Sequence, residues 1–156
     1  MSQDWFWEGN IRSALARHLE REGWRVEADG PTVPEGAIDL VAKRDDRVLL
    51  LEVKGFPSNV YTQGPKAGMP KPTRSATQVR QWYADALLTI LLTRDARSDA
   101  AIALAFPAHR TYRSLVAQTE RSLCRLGAGV LLVGPSGDVE TLLEPAPPKS
   151  SDTAAP

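Results

Sequence analysis

Apolar residues recur along the chain in two ways, at helical spacing in three long stretches and as compact runs between them. Residues 4 to 22 place Phe6, Trp7, Ile11, Leu15 and Leu19 on one broad stripe. This predicts an amphipathic helix with Asp4 as N-cap and Gly23 as stop. Residues 76 to 93 repeat the pattern through Val79, Trp82, Tyr83, Ala86 and Ile90. Residues 109 to 126 do so through Tyr112, Leu115, Val116, Leu123 and Leu126, with Arg110, Arg113, Arg121 and Arg125 on a solvated opposite face. Residues 24 to 28 read as a short strand, and 100 to 106 as a fully buried one. Residues 129 to 133 and 139 to 143 are two closing strands joined by Gly134-Pro135-Ser136-Gly137. From Pro145 onward the Pro/Ala/Ser composition predicts a disordered tail, leaving 1 to 144 as a single α/β domain.

The most informative stretch is 36 to 54, two Val/Ile/Leu-rich arms about a charged centre, Arg44-Asp45-Asp46-Arg47. It predicts a hairpin. A symmetric fold-back pairs Arg44 with Arg47 and carries Asp39 opposite Glu52. Opposed residues have Cβ atoms about 4.5–5.5 Å apart, where like charges destabilise a sheet. Two facing carboxylates in apolar strands therefore call for a cation between them. Side-chain alternation puts Lys54 on the face of Glu52, so an Asp, a Glu and a Lys converge. The plain alternative is a buried ion pair without chemistry, and a register slip of one residue would turn Asp39 to the other face.

Glu8 shares the inward side of the first helix and could reach the same site; equally, it suits the positive end of the helix dipole. His18 lies near that stripe and reads as a hydrogen-bonded core residue. Residues 55 to 75 hold Pro57, Pro65, Pro70 and Pro72 with Gly55, Gly64 and Gly68, so no regular element fits. No acidic residue occurs from Val53 to Ala84, while Lys54, Lys66, Lys71, Arg74 and Arg80 are basic. With Tyr61 inside it, this loop suits contact with a nucleic-acid backbone; a solvated linker is the alternative.

Lys+Arg and Asp+Glu both number 19 among 156 residues, so any nucleic-acid surface must be a local patch rather than a global charge. The one cysteine, Cys124, excludes an internal disulfide framework or a cysteine metal cage and reads as a small core residue. There is no internal repeat, no long apolar run and no secretory start, which predicts a soluble cytoplasmic protein without membrane contact.

With Glu8 on the first helix, Asp39 on the second strand, Glu52-Val53-Lys54 on the third and Gln78 on the next helix, the chain resembles the restriction-endonuclease-like PD-(D/E)XK nucleases. The resemblance spans residues 4 to about 133. Ile38 precedes Asp39 where proline is often found, and Trp82 stands where tyrosine often follows the glutamine. The resemblance implies an αβββαβ core with a mixed central sheet flanked by helices, followed by a further helix and C-terminal strands. It implies a Mg²⁺-dependent endonuclease acting on DNA, with Mn²⁺ able to substitute. Asp39, Glu52 and the Val53 carbonyl would hold the metal, Glu8 a second metal or its water. Lys54 would position the water or stabilise the transition state, and Gln78 would orient the shell or touch phosphate. Lys66, Lys71, Arg74, Arg80 and Tyr61 would bind nucleic acid, and a homodimer would suit two cuts. The alternative is a catalytically silent module of the same fold that binds nucleic acid or a protein.

Overall fold

The computed structural model describes residues 5–27, 32–33, 36–58, 61, 63–71 and 75–148. The elements are α1 (Glu8–Arg21), β1 (Arg25–Glu27), β2 (Thr32–Val33), β3 (Gly36–Ala37), β4 (Leu40–Arg44) and β5 (Arg47–Val53). They continue with α2 (Ser75–Ala96), β6 (Ala101–Pro107), α3 (Arg110–Leu126), β7 (Ala128–Val133) and β8 (Val139–Leu143). Six strands form one sheet in the order β1-β4-β5-β6-β7-β8, while β2 and β3 pair separately. The β4–β5 hairpin keeps the symmetric register, from Arg44↔Arg47 to Leu40↔Leu51. Asp45 turns it at a φ of 54°, a left-handed conformation that aspartate tolerates better than most residues.

β5, β6 and β7 are parallel, so each junction needs a crossover, supplied by α2 and then α3. The strands alternate in what they bury. Leu49, Leu51 and Val53 pack with Ala103, Ala105 and Val133 against Ile11, Ala14, Leu15 and Leu19 of α1. Leu50, Ile102, Leu104, Phe106, Val130 and Leu132 face Val79, Tyr83, Ala86, Ile90, Tyr112 and Val116 of α2 and α3. The sheet is therefore apolar on both faces, as expected for parallel strands between helices.

Several sequence expectations need correction. α1 begins at Glu8, with Trp7 in the N-cap position and no side-chain cap; Asp4 lies outside the described residues. Trp7 is 65% exposed rather than on the buried stripe. Trp82 is also exposed, because Tyr83, one residue on, takes the inward slot. The Tyr83 ring packs near Phe106, and its hydroxyl hydrogen-bonds Thr119 of α3 at 2.6 Å. Cys124 is exposed, since Leu123 fills the inward position of that turn of α3. The expected tail boundary also shifts. Pro145 lies against Gly129, and the Ala146 amide donates to the Gly127 carbonyl at 3.1 Å, so the chain stays packed there. Residues 149–156 lie outside the described part. Among the described residues, no helix is long and apolar enough to cross a membrane.

Candidate active site

The hairpin ladder ends at Leu40↔Leu51, and the two acids stand one residue beyond it. Asp39 precedes β4 rather than lying within it. Its carboxylate Oδ2 accepts the Val53 amide at 2.8 Å, which ties it across the open end of the hairpin. In extended backbone, a residue's amide and carbonyl point to the same side, so the Val53 carbonyl opens on this gap as well. Glu52 is buried, with 4% of its surface exposed. One carboxylate oxygen lies 2.9 Å from the Lys54 ammonium. The other, Oε2, is buried without a hydrogen-bond partner.

Burial, and then the charge of Asp39, push the Glu52 carboxyl up to about 7, against the opposing pull of Lys54. The two carboxyls are close enough to hydrogen-bond when one carries a proton. Burial works to lower the Lys54 pKa, but its contacts with Glu52 and Asp85 outweigh that and the net direction is upward. Lys54 is thus an ammonium, a donor rather than a base.

Glu8 joins the site through Gly55. A Cβ at Gly55 would come within 2.7 Å of the Glu8 amide and the Phe6 carbonyl, so only glycine admits the start of α1 this close to the end of β5. The Phe56 amide donates to the Phe6 carbonyl at 2.9 Å, and the Tyr112 hydroxyl donates to the Gly55 carbonyl at 2.7 Å. Burial and the Asp39 charge raise the Glu8 pKa, while Lys54, Arg12 and the Gly55 backbone oppose them. Glu8 therefore feels the site's charges. Among the described residues, though, no three His, Cys, Asp or Glu side chains are gathered closely enough to cage a metal. The donor set is a pair of carboxylates with Glu8 at its margin.

Two contributors were missed in the sequence. Arg12, four residues after Glu8 on the same helical face, donates to the Asp39 carbonyl at 2.9 Å and lies 3.4 Å from its carboxylate. Asp85 of α2 lies 3.3 Å from the Lys54 ammonium, so Lys54 is held between two acids. Asp85 is the residue that ends the acid-free stretch and sits two helical turns after Gln78, a signal that was readable. Gln78 itself is half-buried, about 10 Å back along the helix axis, and makes no hydrogen bond to Asp39, Glu52 or Lys54.

The basic loop folds on itself through the Tyr61 amide to the Met69 carbonyl and the Gly68 amide to the Tyr61 carbonyl. The Lys66 and Lys71 ammoniums lie 5.8 and 6.0 Å from the Tyr61 ring centre. Arg80 is exposed on α2, and Arg74 lies outside the described residues. His18 pairs with Glu22 at 3.4 Å. His109 caps α3 by accepting the Thr111 amide, and neither histidine enters the site.

No family model matches the sequence, and no curated protein matches it. Solved structures do. An XisH family protein from Nostoc punctiforme aligns over 86% of this chain and 98% of its own, with a TM-score of 0.55 and 13% identity. A fdxN element excision controlling factor protein from Anabaena variabilis aligns over 85% and 97%, with a TM-score of 0.53 and 14% identity. At such identities the likeness speaks for the fold alone, a mixed six-stranded sheet flanked by helices.

Proposed function

We propose that this chain is a metal-dependent nuclease that hydrolyses phosphodiester bonds of DNA, in the manner of the PD-(D/E)XK nucleases. The observation that carries this reading is the buried Glu52 Oε2, without a partner and beside a second carboxylate. An acid buried next to another acid, with a lone pair left over, is costly unless a cation completes it. Asp39 and Glu52 fit Mg²⁺ or Mn²⁺ by the hardness of their oxygens, with the Val53 carbonyl as a further donor and Glu8 at the margin. A divalent cation there would polarise the scissile phosphate and acidify a bound water.

The protein's own groups do the rest. Lys54, kept charged by Glu52 and Asp85, presents a donor toward the oxygens that gain charge in the transition state. Arg12 fixes Asp39 through its backbone carbonyl and pairs with one oxygen of its carboxylate. Lys66, Lys71 and Tyr61 form a cationic, aromatic surface for the backbone of the substrate, extended by Arg80 on α2 and, by sequence, Arg74.

The test is a cleavage panel over duplex, single-stranded and branched DNA and over RNA, with Mg²⁺ or Mn²⁺, run beside Lys54→Ala. Metal-dependent cutting that disappears in the variant supports the reading. Cutting that persists in excess chelator, or in Lys54→Ala at the wild-type rate, overturns it. If nothing is cut and calorimetry shows the same negligible Mg²⁺ heat for wild type and Asp39→Asn, the chain is a binding module of this fold.

A further inference from the structure

α2 is apolar on two sides. Val79, Tyr83, Ala86 and Ile90 face the sheet and α3. On the side turned away from them, Leu88, Leu91 and Leu92 are 55%, 49% and 40% exposed, and Ala84, one turn earlier, is exposed as well. Single apolar residues scattered over a surface call for no explanation, but a run of them on successive turns of one helix marks a contact surface. A helix that is apolar all round is ordinarily covered all round.

The polar residues along this face point to what covers it. Gln81, Ala84, Leu88, Leu91 and Asp95 recur in alternating steps of three and four, the spacing of a seam between two helices. Arg80 stands at the amino end of the seam and Asp95 at its carboxyl end, and neither has a hydrogen bond or an ion pair among the described residues. Asp95 lies in the last turn of α2, where the helix dipole disfavours an acid. Laying a second α2 antiparallel, about a two-fold axis near Leu88, resolves both features. Positions equally far before and after the axis then meet. Leu88 meets its own copy, Ala84 receives Leu91 and Leu92, and Arg80 and Gln81 come beside Asp95. The acid gains a guanidinium and the positive end of the facing helix. A parallel pair would set arginine against arginine and aspartate against aspartate, which is repulsive at both ends. The antiparallel contact uses the same surface on both copies, so the assembly closes at two. Asp85 and Asp95 beside the leucines make the face a poor match for an anionic membrane.

We infer that the outer face of α2 is the interface of a two-fold homodimer, with the two helices antiparallel and meeting at Leu88. Arg80 then has a partner other than substrate phosphate, and the substrate surface rests on Lys66, Lys71 and Tyr61. The inference stands apart from the nuclease reading, because association needs neither metal nor nucleic acid. A single helix pair is small beside a standard interface of about 1,600 Å², so the dimer dissociates in the micromolar range, on the order of 1–100 µM.

Sedimentation velocity of the full chain, without metal or nucleic acid, from about 0.5 to about 300 µM tests it. Wild type passes from monomer to dimer across that range. Leu88→Glu and Leu88→Lys each stay monomeric, and their unfolding curves, taken where wild type is monomeric, match its own. An equimolar mixture of these two variants dimerises, because unlike charges now meet at the axis. Asp95→Arg weakens the dimer at least about tenfold, and adding Arg80→Asp returns it to within about threefold of wild type. A wild type that stays monomeric to the top of the range overturns the inference and leaves the face to a different protein. So does a dimer that neither Leu88 variant weakens. A dimer that Leu88→Glu breaks but Asp95→Arg leaves intact overturns the antiparallel pairing.

Discussion

The Val53 amide donates to Oδ2 of Asp39 at 2.8 Å, so the acid that would bind metal also closes the end of the hairpin. Structure and chemistry can be separated by substitution. Asp39→Asn keeps an oxygen acceptor for Val53 and leaves stability within about 1 kcal/mol, whereas Asp39→Ala loses the bond and about 1–3 kcal/mol. Both lower the cleavage rate by roughly a thousandfold, because a metal ligand supplies several kcal/mol of transition-state stabilisation. Urea denaturation paired with initial-rate measurements checks both halves.

Glu52 makes the metal-free protein less stable as pH rises. Its carboxyl titrates at about 7 when folded against an ordinary 4.5. Between those values the folded state holds a proton that the unfolded state has released, so stability is greatest below about 4.5, falls through this window and levels off above about 7. The loss is of order 3 kcal/mol. In Glu52→Gln this component of the pH dependence is absent. Chemical denaturation of the two proteins in chelator at several pH values tests it, and a wild type that gains stability relative to Glu52→Gln over this range contradicts the buried-acid picture. The same proton competes with the cation, so apparent Mg²⁺ affinity rises as pH approaches 7 from below.

In the proposed nuclease, Asp85 would act as a positioning residue for Lys54. Its side chain is 67% exposed, so its bridge to Lys54 adds less than about 1 kcal/mol to stability. Removing it in Asp85→Asn leaves Lys54 tethered by Glu52 alone, with less holding the ammonium charged. The expected result is an unchanged KM, a kcat reduced up to about tenfold, and an alkaline limb of the rate profile that shifts to lower pH. A purely structural role would leave that limb in place.

Gly55→Ala tests how Glu8 reaches the site. The added methyl meets backbone atoms of Phe6 and Glu8, which cannot swing aside as a side chain can. The start of α1 must retreat, at a cost of about 1–3 kcal/mol. Metal affinity and cleavage fall further than the loss of folded protein explains, measured at a temperature where the variant is still folded.

Lys66 and Lys71 make a prediction about salt. If each contacts a backbone phosphate, the double alanine variant flattens the dependence of log affinity on log salt by about 1.8 for duplex DNA, or about 1.4 for a single strand. An unchanged slope removes the Tyr61 loop from the binding surface.

The sequence alone was enough for the helices, the six strands of the main sheet and above all the hairpin register, because these depend on short-range periodicity and on a turn that fixes its own two arms. The short β2–β3 pair was not foreseen. Once Arg44 faces Arg47, the positions of Asp39 and Glu52 follow within a single residue step. Contacts between distant elements were a different matter. That Arg12 would clasp Asp39 from one helix and Asp85 would hold Lys54 from another depended on how α1 and α2 cross the sheet, which no local pattern encodes. The same holds for Trp7, Trp82 and Cys124, whose apolar character suggested interior positions until Tyr83 and Leu123 took the inward slots beside two of them. Periodicity says which residues share a face of a helix; only packing against the sheet decides how much of that face is covered.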